Sequence, residues 1–233
     1  MDNSNEIKGK GTLYIISTPI GNIRDITLRA LDILGEVALI AAEDTRVSRK
    51  LLSHYGISAR MESFHKFNEE SKKSKLLKVL LDGKSVALIS DSGTPGISDP
   101  AFSIVREVIK HNIPITSVPG ANSIIPALVL SGLPTDKFYF GGFPPVKSGP
   151  KRRFFEELKD REETLIFFES PHRLLKTINT ISEALGDREC SICRELTKKY
   201  EEIFRGRISH IIENADEMTI RGEFVLVVSG NRK

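Results

Sequence analysis

The sequence predicts an α/β protein made of two α/β domains, and three observations predict it. Apolar runs of strand length alternate with stretches of helical periodicity through the first half of the chain. Such alternation belongs to a mostly parallel sheet covered by helices. After Ser131-Gly-Leu-Pro134 the texture changes, and strand candidates follow with no long helix between every pair, which favours antiparallel pairing there. The length of 233 residues also suits two domains of about 115 residues each. The boundary is expected near 133, at Leu133-Pro134-Thr135. It separates a mostly parallel domain over 1–133 from a mixed-sheet domain over 134–233.

The elements justify themselves in order. Leu13-Tyr-Ile-Ile16 reads as the first strand, and residues 26–36 place Leu28, Leu31 and Leu34 on one helical face. Val37-Ala-Leu-Ile40 is a second apolar run. Residues 45–55 form a helix closed by Gly56, and residues 69–82 carry Leu76, Leu77, Leu80 and Leu81 at helical spacing before Gly83. Ser85-Val-Ala-Leu-Ile-Ser90 is a strand, followed by a helix over 100–110 whose start is marked by Asp99 as cap and Pro100 in the first turn. Ile113-Pro-Ile-Thr-Ser-Val118 is the next strand. In the second half, strands are expected at 138–140, 164–168, 191–193, 202–204 and 224–228, with helices near 151–159 and 172–185.

Composition narrows the function classes. No window approaches 18 apolar residues without charge, and Met1-Asp-Asn-Ser-Asn-Glu lacks the basic-then-apolar layout of a signal peptide. Two cysteines fit a reducing compartment. A cytoplasmic protein with no membrane partner is expected. The net charge of +3 permits an RNA partner without demanding one. Lys147, Lys151, Arg152 and Arg153 cluster beside Gly141-Gly-Phe-Pro-Pro145, either to seat phosphates or as a solvated helix start.

Asp91-Ser-Gly-Thr-Pro-Gly-Ile-Ser-Asp-Pro-Ala101 is the most informative run. It links a strand to a helix, so it lies at the carboxyl end of a strand, where ligands bind in open α/β sheets. Its glycines and proline let the backbone approach a ligand and hold its shape. Ser17-Thr-Pro-Ile-Gly-Asn22 follows the first strand in the same way, and Pro19, Gly21 and Asn22 can offer backbone groups. Ala41-Ala-Glu-Asp-Thr-Arg46 sets two carboxylates and an arginine at a strand-to-helix transition, where Asp44 or Thr45 can equally cap the helix. Val118-Pro-Gly-Ala-Asn-Ser123 opens another helix, with capping by Asn122 or Ser123 as the plain alternative to ligand binding.

These blocks resemble the ribosomal small subunit methyltransferase I family of the tetrapyrrole-methylase superfamily. The resemblance rests on eight collinear blocks: Ser17–Asp25, Ala42–Arg46, Asp91–Pro100, Val118–Gly120, Ser131–Pro134, Phe168–Arg173, Arg194–Lys198 and Gly222–Phe224. It covers roughly residues 11 to 230. It implies two α/β domains with S-adenosyl-L-methionine in the cleft between them, and methylation of the ribose 2′-hydroxyl of a cytidine in 16S rRNA of the small ribosomal subunit. It also implies a homodimer. The donor site would be lined by Pro19, Ile20, Gly21, Ser92, Gly93, Thr94, Pro95, Ile97, Ala121, Asn122 and Ser123. The RNA would meet Asn22, Arg24, Asp25, Arg46, Lys147, Lys151, Arg152, Arg153 and Arg173. A ribose hydroxyl is a poor nucleophile, so Glu43 or Asp44 is the expected proton acceptor. No metal is required. Ala121 and Asn122 depart from residues common in the family, which leaves their individual contacts open. Many members also continue beyond Gly-Glu-Phe with a basic helical segment.

Other readings are weaker. Asp82-Gly-Lys-Ser85 echoes the end of a P-loop, but Lys78 stands where its first glycine belongs. Cys190-Ser-Ile-Cys193 has no second pair to complete a zinc site. Asp91-Ser-Gly-Thr94 resembles the turn of aspartic proteases, which need two copies and an all-β fold. A lone His172 at a helix start is more often structural. Two alternatives stay open: a small-molecule tetrapyrrole-type methylase, opposed by Gly93-Thr-Pro95 where porphyrin enzymes show Gly-Asp-Pro, and a non-catalytic RNA-binding module.

Overall fold

The computed structural model describes residues 9–99 and 101–232. The chain divides into two compact units, one up to Asn122 and one from Ser123.

In the first unit five strands form one parallel sheet: β1 (Leu13–Ile16), β2 (Leu39–Ala42), β3 (Met61–Ser63), β4 (Val86–Ile89) and β5 (Ile115–Val118). Their order is β3-β2-β4-β1-β5. Four helices cover it: α1 (Leu28–Glu36), α2 (Thr45–His54), α3 (Glu69–Leu81) and α4 (Phe102–Lys110). Every residue of β2 and β4 is buried, as expected for central strands covered on both faces. Alternate strand residues feed two cores. Leu13, Leu39, Ala41, Val86 and Leu88 pack with Leu76 and Leu80 of α3 and Ile104 and Val108 of α4. Ile16, Ile40, Ala42, Ala87 and Ile89 pack with Ala30 and Leu34 of α1 and Leu52 of α2. The sheet is therefore wound on both faces.

Helix starts differ from the sequence expectation in an instructive way. Thr27 caps α1 by accepting the Ala30 N–H at 3.2 Å, which leaves Leu28 on the first turn and 80% exposed. Asp44 caps α2. Asp99 does not cap α4: its carboxylate turns back to accept the Gly96 N–H, and the cap position is Ala101. Pro100 lies outside the described residues. Strand β3 was missed because Met61-Glu-Ser63 is neither apolar nor β-branched; it is an edge strand set by its register with Ile40–Ala42.

The second unit carries a mixed sheet of β6 (Phe138–Phe140), β7 (Thr164–Glu169), β8 (Glu189–Arg194), β9 (Glu202–Arg207) and β10 (Phe224–Val228), in the order β6-β7-β10-β8-β9. Only β6 and β7 are parallel; β10 pairs antiparallel with β7 and β8, and β8 with β9. Its core joins Leu165, Phe167, Ile192 and Leu226 to Phe155 of α6 (Ser148–Glu156), Leu174, Ile178 and Ile181 of α7 (Leu174–Leu185) and Ile208 and Ile211 of α8 (Ile208–Glu213). Helix α5 (Ile124–Ser131) packs on β10 and β8 of this sheet, closed by Gly132 at φ +76°. For that reason the compact units part at Asn122, ahead of the boundary at 133 that the change of texture predicted. The apolar run Ile124–Leu130 reads as a continuation of the first half, but its buried Ala127 and Leu128 belong to the second unit.

Candidate active site

Four loops leave the carboxyl ends of β1, β2, β4 and β5, and within the first unit they are tied together. Thr18 and Gly93 exchange both backbone hydrogen bonds, at 2.9 and 3.0 Å. Ser17 and Thr94 share a hydroxyl hydrogen bond of 2.7 Å. The Thr18 hydroxyl donates to Ser90 O at 3.0 Å and the Ser90 hydroxyl to Gly93 O at 3.1 Å. Thr18 and Ser90 are buried, so these bonds satisfy groups that water cannot reach. Gly93 sits at φ +83°, with Ile20 and the Ala121 carbonyl in contact distance of a would-be Cβ. Its glycine identity follows from that left-handed backbone, and its N–H and C=O are engaged by Thr18 and Ser90. At the β5 end, a Cβ on Gly120 would lie 3.1 Å from Ser17 Cβ, so the fourth loop packs against the first.

The β2 end brings acid to this rim. Asp91 accepts the Asp44 N–H at 2.9 Å, and the Asp91 N–H lies 3.4 Å from Glu43 Oε2. Burial holds the Asp91 carboxyl above its ordinary pKa, with the Asp44 charge adding to the rise and the Asp44 N–H opposing it. Asp99 is pushed up to about 6, chiefly by burial, against the Gly96 hydrogen bond and with the charges of Glu43 and Asp91 adding to the rise. Asp44 behaves oppositely. Its carboxylate receives the Arg46 guanidinium at 2.6 Å and the Arg46 N–H at 2.8 Å, which bring its pKa down to about 2. Asp44 therefore has a capping and pairing task, and Arg46 spends its fork on Asp44.

Of the expected donor-site residues, Pro19, Ile20, Gly21, Ser92, Gly93, Thr94, Pro95, Ile97, Ala121 and Asn122 lie on three of the four loops of the first unit; Ser123 opens α5 in the second. Sequence reasoning passed over Ser17, Thr18, Ser90, Asp91 and Asp99. The signal for the two aspartates was present, since they bracket the glycine loop on either side.

The expected RNA residues divide. Arg24 is exposed, and Asn22 caps a short turn by accepting the Arg24 N–H at 3.1 Å. Lys147 and Arg153 are exposed, and Arg152 pairs with Glu156 along α6 at 2.8 Å. Two assignments need correction. Lys151 is only 5% exposed and donates to the Thr177 hydroxyl at 2.7 Å. Arg173 holds Glu169, with Nε 2.9 Å from Oε1, and also donates to the Pro144 carbonyl. The cause is Glu169 itself: it is 2% exposed at the end of β7, and a buried carboxylate recruits neighbouring cations and the Thr177 hydroxyl. Burial in turn lowers the Lys151 pKa. Arg194 is likewise internal, donating to the Arg221 and Tyr200 carbonyls and to Glu202. Cys190 and Cys193 are free and buried, with the Cys190 thiol pushed up to about 12 by burial, so neither is poised to bind metal. No cluster able to hold a metal ion occurs among the described residues.

Residues 12–212 match the profile of the tetrapyrrole (corrin/porphyrin) methylases. The chain belongs to the tetrapyrrole methylase family. This methylase is 48% identical over 222 residues to the ribosomal RNA small subunit methyltransferase I of Halalkalibacterium halodurans, covering 95% of the chain and 77% of the relative. The Bacillus subtilis protein of the same name is 48% identical over 221 residues, covering 95% and 76%. Among solved structures, the methylase superposes on a cobalt precorrin-4 methyltransferase with a TM-score of 0.69 at 18% identity, covering 98% and 97% of the two chains. It superposes on the uroporphyrin-III C-methyltransferase of Thermus thermophilus with a TM-score of 0.66 at 18% identity, covering 94% of each. The fold expected from the sequence is thus the observed one, and the methylase is a methyltransferase. The protease reading falls with the parallel, helix-covered sheet and the single Asp-Ser-Gly-Thr copy, and the P-loop reading falls because Asp82–Ser85 joins the end of α3 to β4, where a P-loop joins a strand to a helix.

Proposed function

We propose that the chain transfers the methyl group of S-adenosyl-L-methionine to the ribose 2′-hydroxyl of a cytidine in 16S rRNA of the small ribosomal subunit. What carries this reading is the 48% identity to ribosomal RNA small subunit methyltransferase I proteins over 95% of the chain. The donor set at the rim fits the cofactor. Asp91 and Asp99 bring negative charge suited to a sulfonium and an α-amino group, and the loops around them are rich in backbone groups. Bound S-adenosylmethionine supplies a methyl already activated for displacement, so the chain's work is positioning, exclusion of water and acceptance of one proton. Loops at 18–22, 91–97 and 119–122 would hold it.

Glu43 is the acceptor we assign. As the oxygen–methyl bond formed and the sulfur–methyl bond broke, with S-adenosylhomocysteine as the leaving thioether, the hydroxyl proton would pass to the Glu43 carboxylate, which sits beside Asp91 and is not consumed by a helix cap. Asp44, held near pKa 2 by Arg46, is too weak a base for the task. Arg24, Lys147 and Arg153 are the exposed cations we assign to RNA phosphates, with Asn22 and Asp25 at the β1 loop. No helix among the described residues is long and apolar enough to cross a membrane. A cytoplasmic homodimer acting on small ribosomal subunits completes the reading. The test is labelled-methyl transfer to small subunits from a strain lacking this activity, followed by mapping of the modified nucleotide. Label absent from the RNA, or present on a base, overturns it.

A further inference from the structure

Phe67 is 93% exposed, the most exposed large apolar side chain among the described residues. A phenyl ring left in water forgoes the gain of burial. The loop is well built. Asn68 accepts the His65 N–H at 2.9 Å and donates to Ser63 O at 3.2 Å and Ser63 Oγ at 3.0 Å. The backbone N–H groups of Asn68 and Glu69 both bond to His65 O at 2.9 Å. The Phe67 N–H lies 3.3 Å from His65 Nδ1, and the two rings meet edge to face at 6.1 Å. The turn is held on both sides, and Phe67 is its crest, next to the exposed Lys66.

Its place in the sheet gives the display a purpose. Phe64 donates its N–H to Ala42 O at 2.7 Å, so the β2–β3 ladder runs one step past β3. The loop at 64–68 therefore leaves the same carboxyl edge as Glu43, one strand over. Where the hydroxyl belongs to an unpaired nucleotide of a loop, bulge or end, its base lacks a stacking neighbour. Proteins that read unpaired RNA replace that neighbour with an aromatic ring beside a cation.

We infer that Phe67 is the stacking platform for an unpaired nucleobase of the RNA substrate, beside the Glu43 site. This rests on the RNA ribose reading above. The chain contains no tryptophan, so Phe67→Trp introduces a single fluorescent reporter at the crest. With Phe67→Ala, KM for small subunits should rise about five- to a hundredfold. S-adenosylmethionine affinity and melting temperature should stay at wild-type values. Phe67→Trp should keep the wild-type KM, and its emission should change when small subunits or a single-stranded oligoribonucleotide are added. The inference is overturned if the wild type methylates small subunits while Phe67→Ala keeps the wild-type KM and the Phe67→Trp emission does not move. It is also overturned if Phe67→Ala instead splits a dimer in sedimentation, which would make Phe67 a protein contact. If the wild type itself labels no RNA, the ribose reading fails and the platform fails with it.

Discussion

The Asp91 carboxylate holds the backbone N–H of Asp44 at 2.9 Å while the Asp91 N–H faces the Glu43 carboxylate at 3.4 Å. The glycine-loop block and the Glu-Asp-Thr-Arg block, far apart in sequence, are thereby set as one acidic corner, and Glu43 and Asp44 acquire different tasks. Glu43→Gln should lower turnover by roughly two to four orders of magnitude with donor affinity little changed. Asp44→Asn should keep turnover near wild type, because asparagine caps a helix as well as aspartate. Single-turnover methyl transfer measures both; full activity in Glu43→Gln would move the proton acceptor elsewhere.

Asp99 gives the protein a pH signature. Its folded pKa of about 6 lies above its ordinary value of 3.8, so the native state holds the proton longer than the unfolded chain. The contribution is fully present below that ordinary value and is lost as pH rises through about 6. Asp99→Asn should remove this slope. Urea midpoints for both proteins, taken between about pH 4 and pH 7, should converge at the acid end, with the variant ahead at neutral pH. Parallel curves would show that Asp99 titrates normally.

Lys151 and its neighbours on α6 should respond differently to mutation. Replacing Lys147 and Arg153 by alanine should flatten the log–log salt dependence of RNA binding by about 1.4, the release expected for two contacts to a single strand. Lys151→Ala should leave that slope alone and lower the melting temperature, since it strips a partner from the buried Thr177–Glu169 pair. A changed slope in Lys151→Ala would return it to the RNA surface.

Two glycines should rank by what surrounds them. Gly93→Ala meets only ordinary contacts and should cost about 1–2 kcal/mol for its left-handed backbone. Gly93→Leu should also abolish donor binding in calorimetry, because a long side chain there has to enter the space between the β1 and β5 loops. Gly222, at φ +91°, lies against the Glu195 carboxyl, which binds Lys198 at 2.8 Å and the Glu223 N–H at 2.9 Å. Gly222→Ala would overlap that side chain and should destabilise the second unit more than Gly93→Ala does the first. Denaturant midpoints decide the order.

What the sequence made legible was periodic or punctuated. Leu13–Ile16 and Phe224–Val228 are apolar strands bounded by breakers, and both fall where the alternation put them. The glycine-rich loops were readable because few residue types tolerate such backbones. Partner choice was not readable. Nothing local distinguishes Lys151 from Arg152, yet one turns inward to Thr177 and the other outward to Glu156. The difference is made by Glu169, distant in sequence and buried by the sheet. Likewise Glu43 and Asp44 are equivalent as letters, and only the cap geometry of α2 separates them.

The paired backbone bonds between Thr18 and Gly93 mean that neither loop is an independent part. A graft or loop exchange that shifts the backbone of one wall of the rim alone would strand a donor and an acceptor on the other. Diversification of this rim therefore has to proceed by matched pairs of segments, and amide exchange at the two positions should open as a single event.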